Sequence, residues 1–127
     1  YLWSNNATTQ SLFVSPANTS TYSVVYSLNG CSSPTSTGTV TVNATPSVTV
    51  SSATVCAGSS ATLTATPSSG GGTYLWSNNA TTQSITVSPA NTTTYSAIYT
   101  LNGCASPSSN GIVTIKAIPT ASVNSAN

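Results

Sequence analysis

Apolar and polar residues alternate along most of this chain in short runs. Ser47–Ser51 reads SVTVS, with Val48 and Val50 on one face. Ala61–Thr66 reads ATLTAT, with Ala61, Leu63 and Ala65 inward and Thr62, Thr64 and Thr66 outward. The same alternation returns in Thr73–Ser77 (Tyr74, Trp76) and Ser84–Ser88 (Ile85, Val87). It returns again in Thr94–Leu101 (Tyr95, Ala97, Tyr99, Leu101) and Ile112–Lys116 (Val113, Ile115). Gly, Pro, Ser and Asn separate the runs, and Ser68–Gly72 reads as a flexible loop. A period of two, bounded by turn formers, predicts β-strands with one face packed and the other in water. No stretch carries a 3.6-residue period, so no substantial helix is expected.

The runs belong to a repeat. YLWSNNATTQS at Tyr1–Ser11 recurs unchanged at Tyr74–Ser84, an offset of 74 minus 1, or 73 residues. SPANTSTYSVVYSLNGCSSP (Ser15–Pro34) matches SPANTTTYSAIYTLNGCASP (Ser88–Pro107), and TGTVTVNATP (Thr37–Pro46) matches NGIVTIKAIP (Asn110–Pro119). Of the 54 overlapping positions, 36 are identical, without a gap. Pro46 and Pro119 punctuate the unit at the same point. The phasing expected from them is a complete repeat over residues 45–117, the back portion of a preceding repeat over 1–44, and the start of a following one over 118–127. The chain opens in mid-motif without Met, so it is expected to be an internal piece or a processed subunit. A 73-residue period exceeds the ~20–45 residues of solenoid repeats and suits a small domain repeated like beads.

Six or seven short strands per repeat, with one Trp in a central strand, predict an all-β protein of tandem immunoglobulin-like sandwiches. Trp3, Trp76, Tyr22 and Tyr95 are the expected core aromatics. Tyr95 opens its strand as a corner tyrosine would; the alternative is an ordinary core aromatic. A domain this small usually needs a staple. Cys31 and Cys104 are repeat equivalents, and the equivalent of Cys56 would fall ahead of residue 1, so each full repeat is expected to hold two cysteines. The expected pair is Cys56 with Cys104, closing 104 minus 56, or 48, residues for about 3–4 kcal/mol. Cys31 would pair upstream of residue 1. Bonded cysteines imply an oxidising compartment; the alternative is two buried thiols.

Composition narrows the chemistry. The chain has no Asp, Glu or His and one basic residue, Lys116. General acid–base catalysis lacks its usual groups. A Ser/Lys dyad would rest on a single Lys near the chain end, which reads as a solvated surface charge. The chain is therefore not expected to be an enzyme. No cofactor is expected, and no metal, because calcium and magnesium sites need carboxylates and three scattered Cys do not make a zinc site. One Lys supplies no phosphate-neutralising patch, so no nucleic acid is expected as a partner, and no apolar run is long enough for direct membrane insertion.

The residues carry a resemblance. VCAGSSATLTA (Val55–Ala65), TYLWSNNATTQSITVSP (Thr73–Pro89), TTTYSAIYTLNGCASP (Thr92–Pro107) and the VTI strand together resemble the Ig-like and PKD-like repeats of very large surface proteins of Bacteroidota. The resemblance spans nearly the whole chain. It implies a stalk module of a gliding-associated adhesin exported by the type IX system, at the bacterial cell surface. The acidic residues common in PKD domains are missing here.

Three roles follow as expectations. The first is a structural stalk whose partners are neighbouring repeats of the same chain. The second is a self-assembling extracellular filament that uses homotypic strand complementation. The third is a carbohydrate-binding module using Trp3, Trp76 and nearby Asn on surface polysaccharide. Against the third, Asn5-Asn6 and Asn78-Asn79 read first as turns. The Thr62, Thr64 and Thr66 array reads first as an ordinary strand face, and the N-x-[ST] triplets at Asn6, Asn18, Asn43, Asn79 and Asn91 read as chance in an Asn/Ser/Thr-rich chain. Phe13 replaces Thr86 on the outer face.

Overall fold

A computed structural model describes residues 1–126. The protein is all-β, with no helix among the described residues. It divides into two compact units, Tyr1–Ala44 and Thr45–Asn127.

The first unit is one sheet and a hairpin. Strands β1 (Leu2–Trp3), β2 (Ser20–Val25) and β5 (Ser36–Val40) lie in the order β1-β2-β5, all antiparallel. Between β2 and β5, β3 (Ser27–Leu28) and β4 (Cys31–Ser32) pair across Asn29-Gly30. Residues 12–14 form no strand here, although their equivalents, residues 85–87, do so in the second unit. The cause is the missing partner: the strand that pairs with 84–87 has no counterpart in residues 1–44.

The second unit is a complete sandwich. Its strands are β6 (Val48–Val50), β7 (Ala53–Cys56), β8 (Ala61–Pro67), β9 (Thr73–Trp76), β10 (Ser84–Val87), β11 (Thr93–Leu101), β12 (Cys104–Ala105) and β13 (Ser109–Lys116). One sheet runs β10-β8-β6. The other runs β9-β11-β13-β7, with β12 pairing the end of β11. Every pairing is antiparallel except β13 with β7. The first strand thus splits between sheets, with β6 antiparallel to β8 and β7 parallel to β13. With the A strand divided in this way, the order A-B-E faces A′-G-F-C, an immunoglobulin-like sandwich without a D strand.

Two serines hold the crossing. The Ser51 hydroxyl accepts the Thr64 N–H at 2.9 Å in one sheet, and the Ser52 hydroxyl accepts the Ile112 N–H at 3.0 Å in the other. Gly111 lies beneath, where a Cβ would collide with the Ser51 carbonyl and the Val50 side chain. The short run β7 was not expected from the sequence, because ATVC is too brief to announce a strand and takes its order from β13.

The core fills the gap between sheets. Val48, Ala61, Leu63, Ala65 and Ile85 enter from the smaller sheet; Trp76, Ala97, Tyr99 and Val113 enter from the larger. These are inward positions of the period-two pattern. Their opposites, Leu75, Ile98 and Ile112, are exposed. On the outer face, hydroxyls bond across strands: Thr62 with Thr86 at 3.2 Å and Thr64 with Ser84 at 3.0 Å. Such cross-strand pairs satisfy the polar face without charge.

The pairing expected between Cys56 and Cys104 is not seen in the structure. The register explains why. Cys56 faces Lys116, three residues beyond Val113, and Val113 faces Thr93. Cys104 faces Leu101, eight residues from Thr93 in the opposite direction. The two cysteines stand about eleven strand positions apart, roughly 36 Å at ~3.3 Å per residue. A disulfide requires Cα atoms within about 7 Å. β8 and β11 run the same way across the sandwich, so the residue before one and the residue after the other lie at opposite poles.

Candidate functional site

The aromatic positions come first. Trp76 is 2% exposed, and its indole N–H donates to the Thr82 carbonyl at 2.7 Å. The turn after it is built by Asn78, whose side-chain oxygen accepts the Ala80 N–H at 3.2 Å, and by Asn79 in left-handed backbone at φ 65°. Trp76 therefore offers no face on which a sugar could stack. Trp3 makes the equivalent bond to the Thr9 carbonyl at 2.8 Å but is only half-buried. Tyr22 and Tyr95 are also half-buried, Tyr95 against the core.

The tyrosine whose hydroxyl holds a loop is Tyr99, not Tyr95. Fully buried, it donates to the Ser69 carbonyl at 2.7 Å and accepts the Gly72 N–H at 2.7 Å. Gly72 packs so closely that a Cβ would meet the Tyr99 ring and the Thr100 carbonyl. Ser106, also buried, accepts the Tyr99 N–H at 3.0 Å and donates to the Pro107 carbonyl at 2.9 Å. The sequence marks both tyrosines alike as inward on one strand, and only the loop position separates them. Replacing Tyr99 by Phe leaves the Ser69 carbonyl and Gly72 N–H short of a partner, an expected loss of about 1–3 kcal/mol. Tyr26, the equivalent residue, is 42% exposed, and Tyr26→Phe is expected to change stability little. Urea denaturation of the two variants checks this.

The first unit carries an apolar opening. A groove of about 190 Å³ is lined by Trp3, Leu12, Val14, Tyr22, Gly38 and Val40, with Thr39. Their equivalents in the second unit, among them Trp76, Ile85, Tyr95 and Val113, are covered by β6 and β8. Nothing lies within 4 Å of a Cβ placed on Gly38, whereas at Gly111 that space holds Val50 and Ser51. The groove is therefore the face on which strands of the β6 and β8 type belong.

The cysteines stand at turns. Cys104 follows Asn102-Gly103, both in left-handed backbone at φ 51° and 78°, the two-residue turn favoured in tight hairpins. Cys31 follows Asn29-Gly30 in the same way. Cys56 opens a turn closed by Ser59 N–H to its carbonyl at 3.0 Å, with Gly58 at φ 83°. Cys31 and Cys56 are exposed, and Cys104 is half-buried.

No group of three His, Cys, Asp or Glu side chains that could hold a metal occurs among the described residues, and no helix is long and apolar enough to cross a membrane. Without Asp, Glu or His, no side chain changes charge through the acid range. Stability is expected to stay flat from about pH 4 to pH 7, and from low salt to about 1 M, since there is almost nothing to protonate or screen. Thermal melts across that grid check this, and a midpoint that moves with pH would contradict it.

No family model matches the sequence, and no curated protein matches it. Among solved structures, the chain is similar to Dscam1 isoform 8.4, N-terminal four Ig domains, at 13% identity and a TM-score of 0.49, over 76% of this chain and 27% of that one. It is also similar to Dscam1 isoform 4.44, N-terminal four Ig domains, at 10% identity and 0.47, over 90% and 36%. The chain thus spans about a quarter to a third of the length of those structures. Its class as an immunoglobulin-like sandwich rests on the strand order and the split first strand described above.

Proposed function

We propose that this chain is a stretch of an extracellular structural stalk, a tandem array of small Ig-like sandwiches that spaces a binding element away from a cell surface. The observation that carries the proposal is the coincidence of one gapless 73-residue period with one complete sandwich. That sandwich takes in its chain at one pole and releases it at the other. β6 begins opposite Pro67, beside the loop held by Tyr99, and β13 ends at Lys116, beside Cys56. Opposite poles suit end-to-end repetition. The uncharged hydroxyl surface and absence of acid–base groups fit a spacer, not a catalyst. The resemblance to Bacteroidota surface repeats favours a type IX-secreted adhesin as the parent protein. The intact mass of the native polypeptide tests this. A mass of hundreds of kilodaltons is expected, and a mass near 12.6 kDa would contradict the stalk.

A second reading is favoured by the open groove of the first unit. A filament could form if another molecule supplied strands to that face. The segment 118–127 corresponds to residues 45–54, the β6 region and the start of β7, with Val123 at the place of Val50, and offers no counterpart of β8. Completion in this way would be partial. Deleting residues 118–127 should abolish assembly under this reading and leave the solution state unchanged under the stalk reading.

A further inference from the structure

We propose that the first unit is a strand acceptor, whose groove takes from another molecule a two-strand segment with the sequence of residues 45–73. The inference deepens the filament reading and rests on the sandwich of the second unit, which identifies the segment that fills such a face.

The second unit holds the same face in its covered form. There β6 and β8 lie over Trp76, Ile85 and Val113. Their equivalents Trp3, Leu12 and Val40 line the groove of the first unit. In this chain β6 and β8 belong to the second unit, so the groove is left to a segment supplied in trans. Neither residues 1–44 nor residues 45–73 contain Asp, Glu, Lys or Arg, so no like-charge repulsion opposes the contact.

The acceptor half is already arranged as in the second unit. Tyr22 pairs with Gly38 as Tyr95 pairs with Gly111. The Trp3 indole donates to the Thr9 carbonyl at 2.8 Å, as that of Trp76 does to the Thr82 carbonyl at 2.7 Å. The rings of Tyr1 and Tyr26 stand 4.8 Å apart, and those of Tyr74 and Tyr99 stand 5.0 Å apart. The Tyr26 N–H donates to the Ser33 hydroxyl oxygen at 3.0 Å, as the Tyr99 N–H does to that of Ser106. An acceptor formed in advance loses little freedom on binding. The difference is confined to one edge. Residues 84–87 are a strand beside β8, whereas residues 11–14 are not.

The register of the docked segment follows from the second unit. Ser84 faces Thr64, Ile85 faces Leu63, Thr86 faces Thr62 and Val87 faces Ala61. The incoming segment sets the same four residues against Ser11–Val14 and turns that stretch into a strand, a case of β-strand addition. Its Val50 and Ser51 come to lie on Gly38, where nothing stands within 4 Å of an added Cβ. Its Ser69 carbonyl and Gly72 N–H reach the Tyr26 hydroxyl, as they reach that of Tyr99 in the second unit.

A peptide of residues 45–73 carrying Cys56→Ser, titrated into the full chain, tests this. One peptide should bind per chain. Tryptophan emission should shift to the blue as Trp3 is covered, since Trp76 is already buried, and hydrogen-exchange protection should appear at residues 11–14. Gly38→Ala should keep the fold of the free chain but bind the peptide roughly 30- to 150-fold more weakly, because its methyl takes the place of Val50 and Ser51. Tyr26→Phe should weaken binding about tenfold, and Leu63→Asn in the peptide should abolish it. No binding, binding that Gly38→Ala leaves unchanged, or a dimer of the chain that the peptide does not dissolve overturns the proposal. Assembly that needs residues 118–127 while the peptide fails to bind keeps the filament reading without this donor. Peptide binding by a chain that never assembles upholds the acceptor and removes the filament.

Discussion

Trp76→Ala is expected to cost the second unit about 3–5 kcal/mol, the range for truncating a buried Trp. A single domain of this size is stable by only ~0.05–0.15 kcal/mol per residue, so the loss takes a large share of its stability. The cost has three sources. The ring lies between the two sheets and is 2% exposed. Its removal leaves a cavity lined by Leu63, Ile85 and their neighbours, which strands pinned on both sides cannot collapse to fill. The Thr82 carbonyl also loses its donor. Trp3→Ala removes an equivalent residue that is already half open to water, and about 1–2 kcal/mol is expected there. Far-UV circular dichroism in urea reads both. A loss under about 1 kcal/mol for Trp76→Ala would show that the indole does not anchor the sandwich.

Gly111→Ala should be nearly as severe, for a steric reason. The added methyl points at the Ser51 carbonyl and the Val50 side chain. Backbone on one side and a packed core residue on the other leave nothing flexible to yield. A loss of about 2–3 kcal/mol is expected. Gly38 has the same place in the repeat and open space around it. Gly38→Ala should be neutral, or stabilising by up to about 1 kcal/mol through the unfolded chain. The contrast reports on the segment that crosses between sheets. Equal effects at the two glycines would mean that Val50–Ser51 does not lie over β13.

Most of the fold was legible because alternation is a local property. Val48, Leu63, Trp76, Ile85, Ala97 and Val113 face inward as a period of two requires. Pole and partner were not legible. Whether Cys56 and Cys104 lie together depends on the directions of β8 and β11 across the sandwich, which no window of sequence contains. Tyr95 and Tyr99 share a face and a residue type; what distinguishes Tyr99 is the Ser68–Gly72 loop folding back over its hydroxyl. β7 escaped notice because its order comes from a parallel partner sixty residues away in sequence, Ala53 facing Val113. The groove of the first unit became meaningful only beside its filled counterpart in the second.

The central claim is that one repeat is a self-sufficient sandwich. Production of residues 45–117 alone, followed by sedimentation and a thermal melt with and without reductant, tests it most directly. The account predicts a folded monomer with one cooperative transition, the same under both conditions because no disulfide lies within a repeat. An unfolded or obligately associated fragment, or a midpoint that reductant lowers, would contradict it.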